Sequence, residues 1–156
     1  MINAITIREL LQRLRDVSDW TFAVGLHIRF ANPTLLYQTY PQSWIDYYND
    51  NGLVFVDPTV QWAVLNAGVC DWSDLVDQDT NNVLGQAADF GLRHGKVVAI
   101  GKDSRTFGFF AHSSRLITCA EIEAAKMILE ELHEKTQGVT QLSENELVPL
   151  RDLSGS

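Results

Sequence analysis

The chain has 156 residues, 46% of them hydrophobic, which is enough for about one domain with a buried core and too little for a second. Twelve Lys and Arg stand against twenty Asp and Glu, a formal net charge of −8. That balance repels a phosphate backbone and an anionic membrane surface alike, so neither DNA binding by this chain alone nor membrane attachment is expected.

The opening "MINAITIREL" lacks the basic start and long apolar run of a signal peptide, and no stretch approaches the roughly 20 apolar residues of a membrane span. A cytoplasmic protein is expected. Ile5, Leu10, Leu11, Leu14 and Val17 fall largely on one helical face, predicting an amphipathic helix that ends near Asp19 and covers a sheet. "WTFAVGLHIRF" and "TLLYQTY", separated by Asn32-Pro33, read as two strands of a hairpin. Pro41 suits the first position of a short helix carrying Trp44, Tyr47 and Tyr48 and ending at Gly52. Asp57 before Pro58 caps another, expected to run to about Ala67 with Gly68 as its left-handed terminator. A further helix is expected from about Asn81 to Phe90. "KVVAI" and "TFGFFAH" around the turn-rich "GKDSR" make a second hairpin. "TCAE", Thr118 to Glu121, is a capping box, and Ile122, Ala125, Leu129 and Leu132 continue at helical spacing to about Lys135. Without a regular strand–helix alternation, this order predicts an α+β fold with an antiparallel sheet covered by helices.

Catalytic and metal motifs are missing. There is no His-Glu-x-x-His and no Gly-x-Ser-x-Gly, and "GKDS" lacks the glycine spacing of a phosphate loop. His112 and Ser113 are neighbours on a predicted strand, which sends them to opposite faces and prevents a direct hydrogen bond. His27, His94 and His133 lie in different elements with no shared spacing, so no metal site is assembled from them. Cys70 and Cys119 stand far apart, which fits buried, inert thiols better than a disulfide.

The stretch from Thr39 to Leu65 is different. It carries Tyr40, Trp44, Tyr47, Tyr48 and Phe55 ahead of Asp57 and Trp62 after it. A core built for stability alone favours Leu, Ile and Val, whereas buried Tyr and Trp bring O–H and N–H groups that need partners. Trp44 and Tyr48 are four apart, one turn from each other on one helix face. An aromatic core stripe beside an ordinary Asp-Pro helix start is the competing interpretation; together the two features favour a small-molecule pocket.

Tyr40-Pro41, Trp44, Tyr48, Asp57-Pro58-Thr59 and Trp72, with "FGLRHG" and Gly108 in support, resemble the autoinducer-binding domain of LuxR-type quorum-sensing transcription factors. The resemblance spans nearly the whole chain and implies α/β/α layers of the GAF/PAS-like kind. It divides the chain into an autoinducer-binding domain, 1–137, and a segment 138–156 in which "LSENELVPL" resembles the start of a helix-turn-helix that then stops. Either an expressed fragment or a natural protein lacking its DNA-reading half fits that ending.

The implied ligand is an N-acyl-homoserine lactone, with no catalytic residue, metal or other cofactor. Carried over by position, Trp44 donates to the lactone carbonyl, Asp57 accepts the ligand amide N–H and Tyr40 donates to an acyl carbonyl. Tyr48 and Trp72 wall the head group, and Thr59 makes an edge contact. Ala111 falls where relatives often place Ser or Thr, with Ser113 expected on the same side, which leaves the preferred substituent on the tail open. The implied partners are a second copy or a full-length relative. The alternatives are a natural short member that sequesters a full-length partner in heterodimers, and a small hydrolase of acylated metabolites.

Overall fold

Apolar residues at helical spacing produce α1, Ala4–Val17, which buries Ile7, Leu10, Leu11 and Leu14. The computed structural model describes residues 4–28 and 35–137. Strands β1 (Thr21–Ile28) and β2 (Leu35–Gln38) pair antiparallel, as expected of a hairpin. The predicted turn at Asn32-Pro33 lies outside the described residues, as does 138–156. After β2 come α2 (Gln42–Asp50), a 3₁₀ turn (Leu53–Phe55), α3 (Pro58–Leu65), β3 (Gly68–Asp71), a 3₁₀ helix (Trp72–Gln78) and α4 (Val83–Asp89). β4 (His94–Gly101), β5 (Arg105–His112) and α5 (Cys119–Lys135) complete the described fold. The five strands form one antiparallel sheet in the order β2-β1-β5-β4-β3.

Strand alternation sorts side chains to the two faces. Phe22, Val24, Leu26, Val98 and Phe110 enter a core shared with α1 and α5. Val97, Ala99, Phe107 and Ala111 enter the opposite cluster with Trp44, Leu53, Ala63 and Trp72 from the α2–α4 side. The result is the expected α+β arrangement, an antiparallel sheet between helical layers. On α5 the capping box forms as predicted: the Thr118 hydroxyl accepts the Glu121 N–H at 3.1 Å and the Glu121 carboxylate accepts the Thr118 N–H at 2.9 Å.

Several boundaries differ, each for a physical reason. Pro41 is the cap of α2 rather than its first residue, its carbonyl accepting the Trp44 and Ile45 N–H groups. α3 stops at Leu65, and Gly68, at φ +112°, opens β3 instead of ending the helix. Arg105 donates to Val64 O, in the last turn of α3, and to the O of its cap Asn66, and so holds the helix end without a left-handed glycine. α4 begins at Val83 because the Asp79 carboxylate, lying outside the helix, accepts the Val83 and Leu84 N–H groups, each at 2.8 Å. The expectation of two buried cysteines fails: Cys70 is half-buried, and Cys119, on the first turn of α5, is exposed. Finally, His27 and His133 do meet, their rings stacked 4.3 Å apart where β1 bulges and His27 takes a φ of +49°.

Candidate functional site

Between the sheet and the α2–α4 layer lies a cavity of about 500 Å³, within the roughly 300–1,000 Å³ usual for small-molecule sites. Its walls are graded. At one end stand Tyr40, Trp44, Tyr48, Asp57, Thr59 and Trp72; along the rest run Ala23, Gly25, Ile28, Leu36, Val60 and Val64, with Phe107 and Phe109 from β5. The register fixes the direction. Tyr40 donates its hydroxyl proton to Phe109 O at 2.9 Å, and Trp72 packs over Gly95, which pairs with Ala111 near the end of β5. Gly25 pairs with both Leu36 and Phe107, and Ile28 with Arg105, the residue that holds the C-terminal end of α3.

Local structure aims the polar side chains. Trp44 and Tyr48 are one turn apart on α2, their rings edge-on at 5.5 Å, and Trp44 also contacts Phe90. Asp57 caps α3: its Oδ1 accepts the Thr59 N–H at 2.9 Å and the Thr59 hydroxyl at 2.7 Å, while Oδ2 accepts the Tyr48 hydroxyl at 2.8 Å. Burial pushes the Asp57 carboxyl above its ordinary range, and the hydrogen bonds from Thr59 and Tyr48 pull it part of the way back. Tyr40 and Tyr48 are held well above the usual phenol range, first by burial and then by the Asp57 charge. Both therefore stay protonated donors at neutral pH. Trp72 reaches its position because β3 hands over to a 3₁₀ helix capped by Asp71, and its buried indole N–H has no hydrogen-bond partner.

Six of the eight residues singled out in the sequence line this one cavity: Tyr40, Trp44, Tyr48, Asp57, Thr59 and Trp72. Ala111 is buried on the same face of the sheet but does not line it. Ser113, expected beside Ala111, lies past the end of β5 and is exposed, its carbonyl accepting from Arg93 at 3.2 Å. The expectation failed because strand alternation was extended two residues beyond Ala111, and the strand stops at His112. The residues of the apolar wall were not among those singled out. Its signal was present in "FAVGL", where Ala23 and Gly25 occupy alternate positions of a strand that would otherwise favour larger side chains.

One serine, histidine and aspartate do come together. His112 Nε2 lies 2.8 Å from Asp19 Oδ1, and Ser114 Oγ lies 3.5 Å from His112 Nδ1. That Nδ1 already accepts the backbone N–H groups of Ser114 and Arg115 at 3.1 and 3.3 Å, so its lone pair is not available as a base for the serine. The trio pins the turn after β5 to the end of α1. None of the three lines the cavity.

A mostly apolar cavity with a few convergent, buried polar groups defines a small-molecule-binding domain. A profile of the autoinducer binding domain matches residues 6–135, and the chain belongs to that family, found in LuxR-type quorum-sensing regulators. It is similar to the transcriptional activator protein SolR of Ralstonia nicotianae, 27% identical over 105 residues, which cover 65% of this chain and 44% of SolR. The regulatory protein SdiA of Escherichia coli is 24% identical over 145 residues, covering 92% of this chain and 58% of SdiA. The chain thus spans about half the length of these curated relatives. Among solved structures, SdiA in complex with octanoyl-rac-glycerol matches with a TM-score of 0.67 at 19% identity, over 90% of this chain and 62% of that one. The N-acylhomoserine lactone dependent LuxR family factor CepR2 from Burkholderia cenocepacia matches with a TM-score of 0.60 at 15% identity, over 84% of this chain and 80% of that one. At these identities the structural likeness concerns the fold.

Proposed function

We propose that this domain senses an N-acyl-homoserine lactone and, as part of a LuxR-type regulator, couples that signal to transcription. The observation that carries the proposal is the grading of the cavity, polar and buried around Asp57 and mostly apolar toward Val64 and Leu36, with Gln38 and Asn49 as the other polar lining residues. A lactone ring and amide match the first part, and an acyl tail matches the second. An ionised carboxylate offers about four acceptor positions. Oδ1 of Asp57 accepts from the Thr59 N–H and hydroxyl and Oδ2 from the Tyr48 hydroxyl, and the ligand amide N–H is the further donor to Oδ2. Trp44 is the donor for the lactone carbonyl. Tyr40 reaches an acyl carbonyl by turning its proton away from Phe109 O.

A monoacylglycerol is the second ligand class to weigh, because SdiA has been solved with octanoyl-rac-glycerol and the same polar end suits its hydroxyl groups. The experiment is mass spectrometry of solvent extracts from protein purified out of lactone-producing and non-producing cells. A lactone recovered only from producing cells supports the proposal. Acylglycerol from both sources, with lactone from neither, favours the second class, and no amphiphile from either source overturns both.

A further inference from the structure

We propose that the cavity opens through an apolar mouth between edge strand β2 and α3, and that the ligand's acyl chain leaves by it, so that the domain accepts long chains whose terminal methylenes lie on the rim. The inference rests on the amphiphile reading above and adds where the tail goes. The two parts of the cavity differ in exposure as sharply as in polarity. Trp44, Asp57, Thr59 and Trp72 line it at 5%, 8%, 3% and 8% exposure. Leu36, Val54 and Val64 line the same cavity at 55%, 43% and 55%, and the polar Asn49, also exposed, lines it too. A side chain that faces both the cavity and the solvent stands at an opening, and the three apolar ones come from three separate elements, which makes the opening a mouth.

The chain neighbours Phe55 and Leu65 are apolar and 83% and 80% exposed. Concentrated exposed apolar surface of this kind marks a binding surface more often than bare protein. Its position names the occupant. Leu36 pairs with Gly25 in the sheet, and Val64 closes the α3 turn after Val60, so these rim residues adjoin the apolar part of the cavity wall. A head group held at Asp57, where α3 begins, points its tail along α3 toward Val64, where α3 ends. Among the described residues, Arg105 at this end donates to Val64 O and Asn66 O and lies over the Phe107 ring.

The test is calorimetric Kd measurement for homoserine lactones from butanoyl to hexadecanoyl, and for the matching monoacylglycerols, on the whole chain and on a Leu36→Gln/Val64→Gln double variant. Kd is expected to fall about fourfold for each methylene enclosed and about twofold for each one lying on the rim, with no reversal at the longest chains. The double variant should weaken binding of the longest ligand on the order of tenfold more than binding of the shortest ligand that wild type binds. A bulky fluorophore at the far end of the longest chain should cost less than about threefold, since it sits outside. A sharp rise in Kd beyond some length, with shorter ligands binding well, overturns the open mouth and leaves the amphiphile reading standing. Failure of every ligand in both series overturns the amphiphile reading itself. If a second copy covers the rim instead, the double variant will lower the sedimentation mass of the unliganded protein and leave the chain-length slope intact, which also overturns the proposal.

Discussion

Asp57 serves the fold with one carboxylate oxygen, as the cap of α3, and accepts the Tyr48 hydroxyl with the other. Its folded pKa lies above the ordinary value, chiefly through burial. Between the unfolded and folded pKa the native state therefore binds more protons than the unfolded chain, and stability declines as pH rises through that window. Above that window the ionised carboxylate costs stability. Asp57→Asn keeps the shape and caps about as well, so the unliganded melting temperature should hold or rise. Lactone affinity should fall on the order of tenfold or more, because a hydrogen bond to a charged group contributes about 1.5–3 kcal/mol. For wild type, affinity should also weaken as acid neutralises the acceptor, and the Asn variant should lack that dependence. Melting curves beside calorimetric Kd values across pH decide the matter; a destabilised variant with unchanged affinity would place Asp57 in the fold alone. Trp44→Phe removes the indole N–H and keeps a ring against Tyr48 and Phe90. It should cost about 1 kcal/mol or more of binding with a modest change in unliganded stability, read from the same two measurements.

Two glycines let the sheet take a different element on each face. A Cβ at Gly108 would stand 2.6 Å from Leu129 Cδ1 of α5, and a Cβ at Gly95 would stand 2.1 Å from the Trp72 indole. Gly108→Ala and Gly95→Ala should each destabilise by roughly 1–3 kcal/mol, the usual cost of overpacking. Only Gly95→Ala should also weaken lactone binding, because only it displaces a cavity wall. Equal loss of affinity in both would mean that the two layers are not mechanically separate. The same contrast explains what could be seen in advance. α1, α5 and the strands β1, β4 and β5 announce themselves through long periodic or aromatic runs, and the head-group residues through Tyr and Trp at one-turn spacing beside Asp-Pro. β3 does not: "GVCD" is four residues at the sheet edge, made a strand by pairing with Val97 and Val98, which lie far along the chain. The end of α3 was misjudged for the same kind of reason, since Arg105, distant in sequence, does the work assigned to Gly68.

The molecule has one filled layer and one hollow layer. α1 and α5 pack against Phe22, Val24, Leu26 and Phe110 in a continuous core, while the α2–α4 side leaves about 500 Å³ unfilled. Side chains around a void lack contact atoms on one side and lose that dispersion energy. Stability should therefore be unevenly distributed, with opening free energies lower in α2, α3 and α4 than in α5 and the central strands. A ligand that binds only the native state stabilises by RT ln(1 + [L]/Kd), about 2.7 kcal/mol at a hundredfold excess over Kd. For a domain of this size that amounts to roughly 5–10 °C in melting temperature. Saturating lactone should accordingly raise the melting temperature by several degrees. In hydrogen exchange, the added protection should be greatest in α2 through α4 and smallest in the α1–α5 layer up to the global limit. A lactone that raises the melting temperature while protecting α1 and α5 first would mean that it binds elsewhere, and that the hollow layer is a packing defect rather than the sensor.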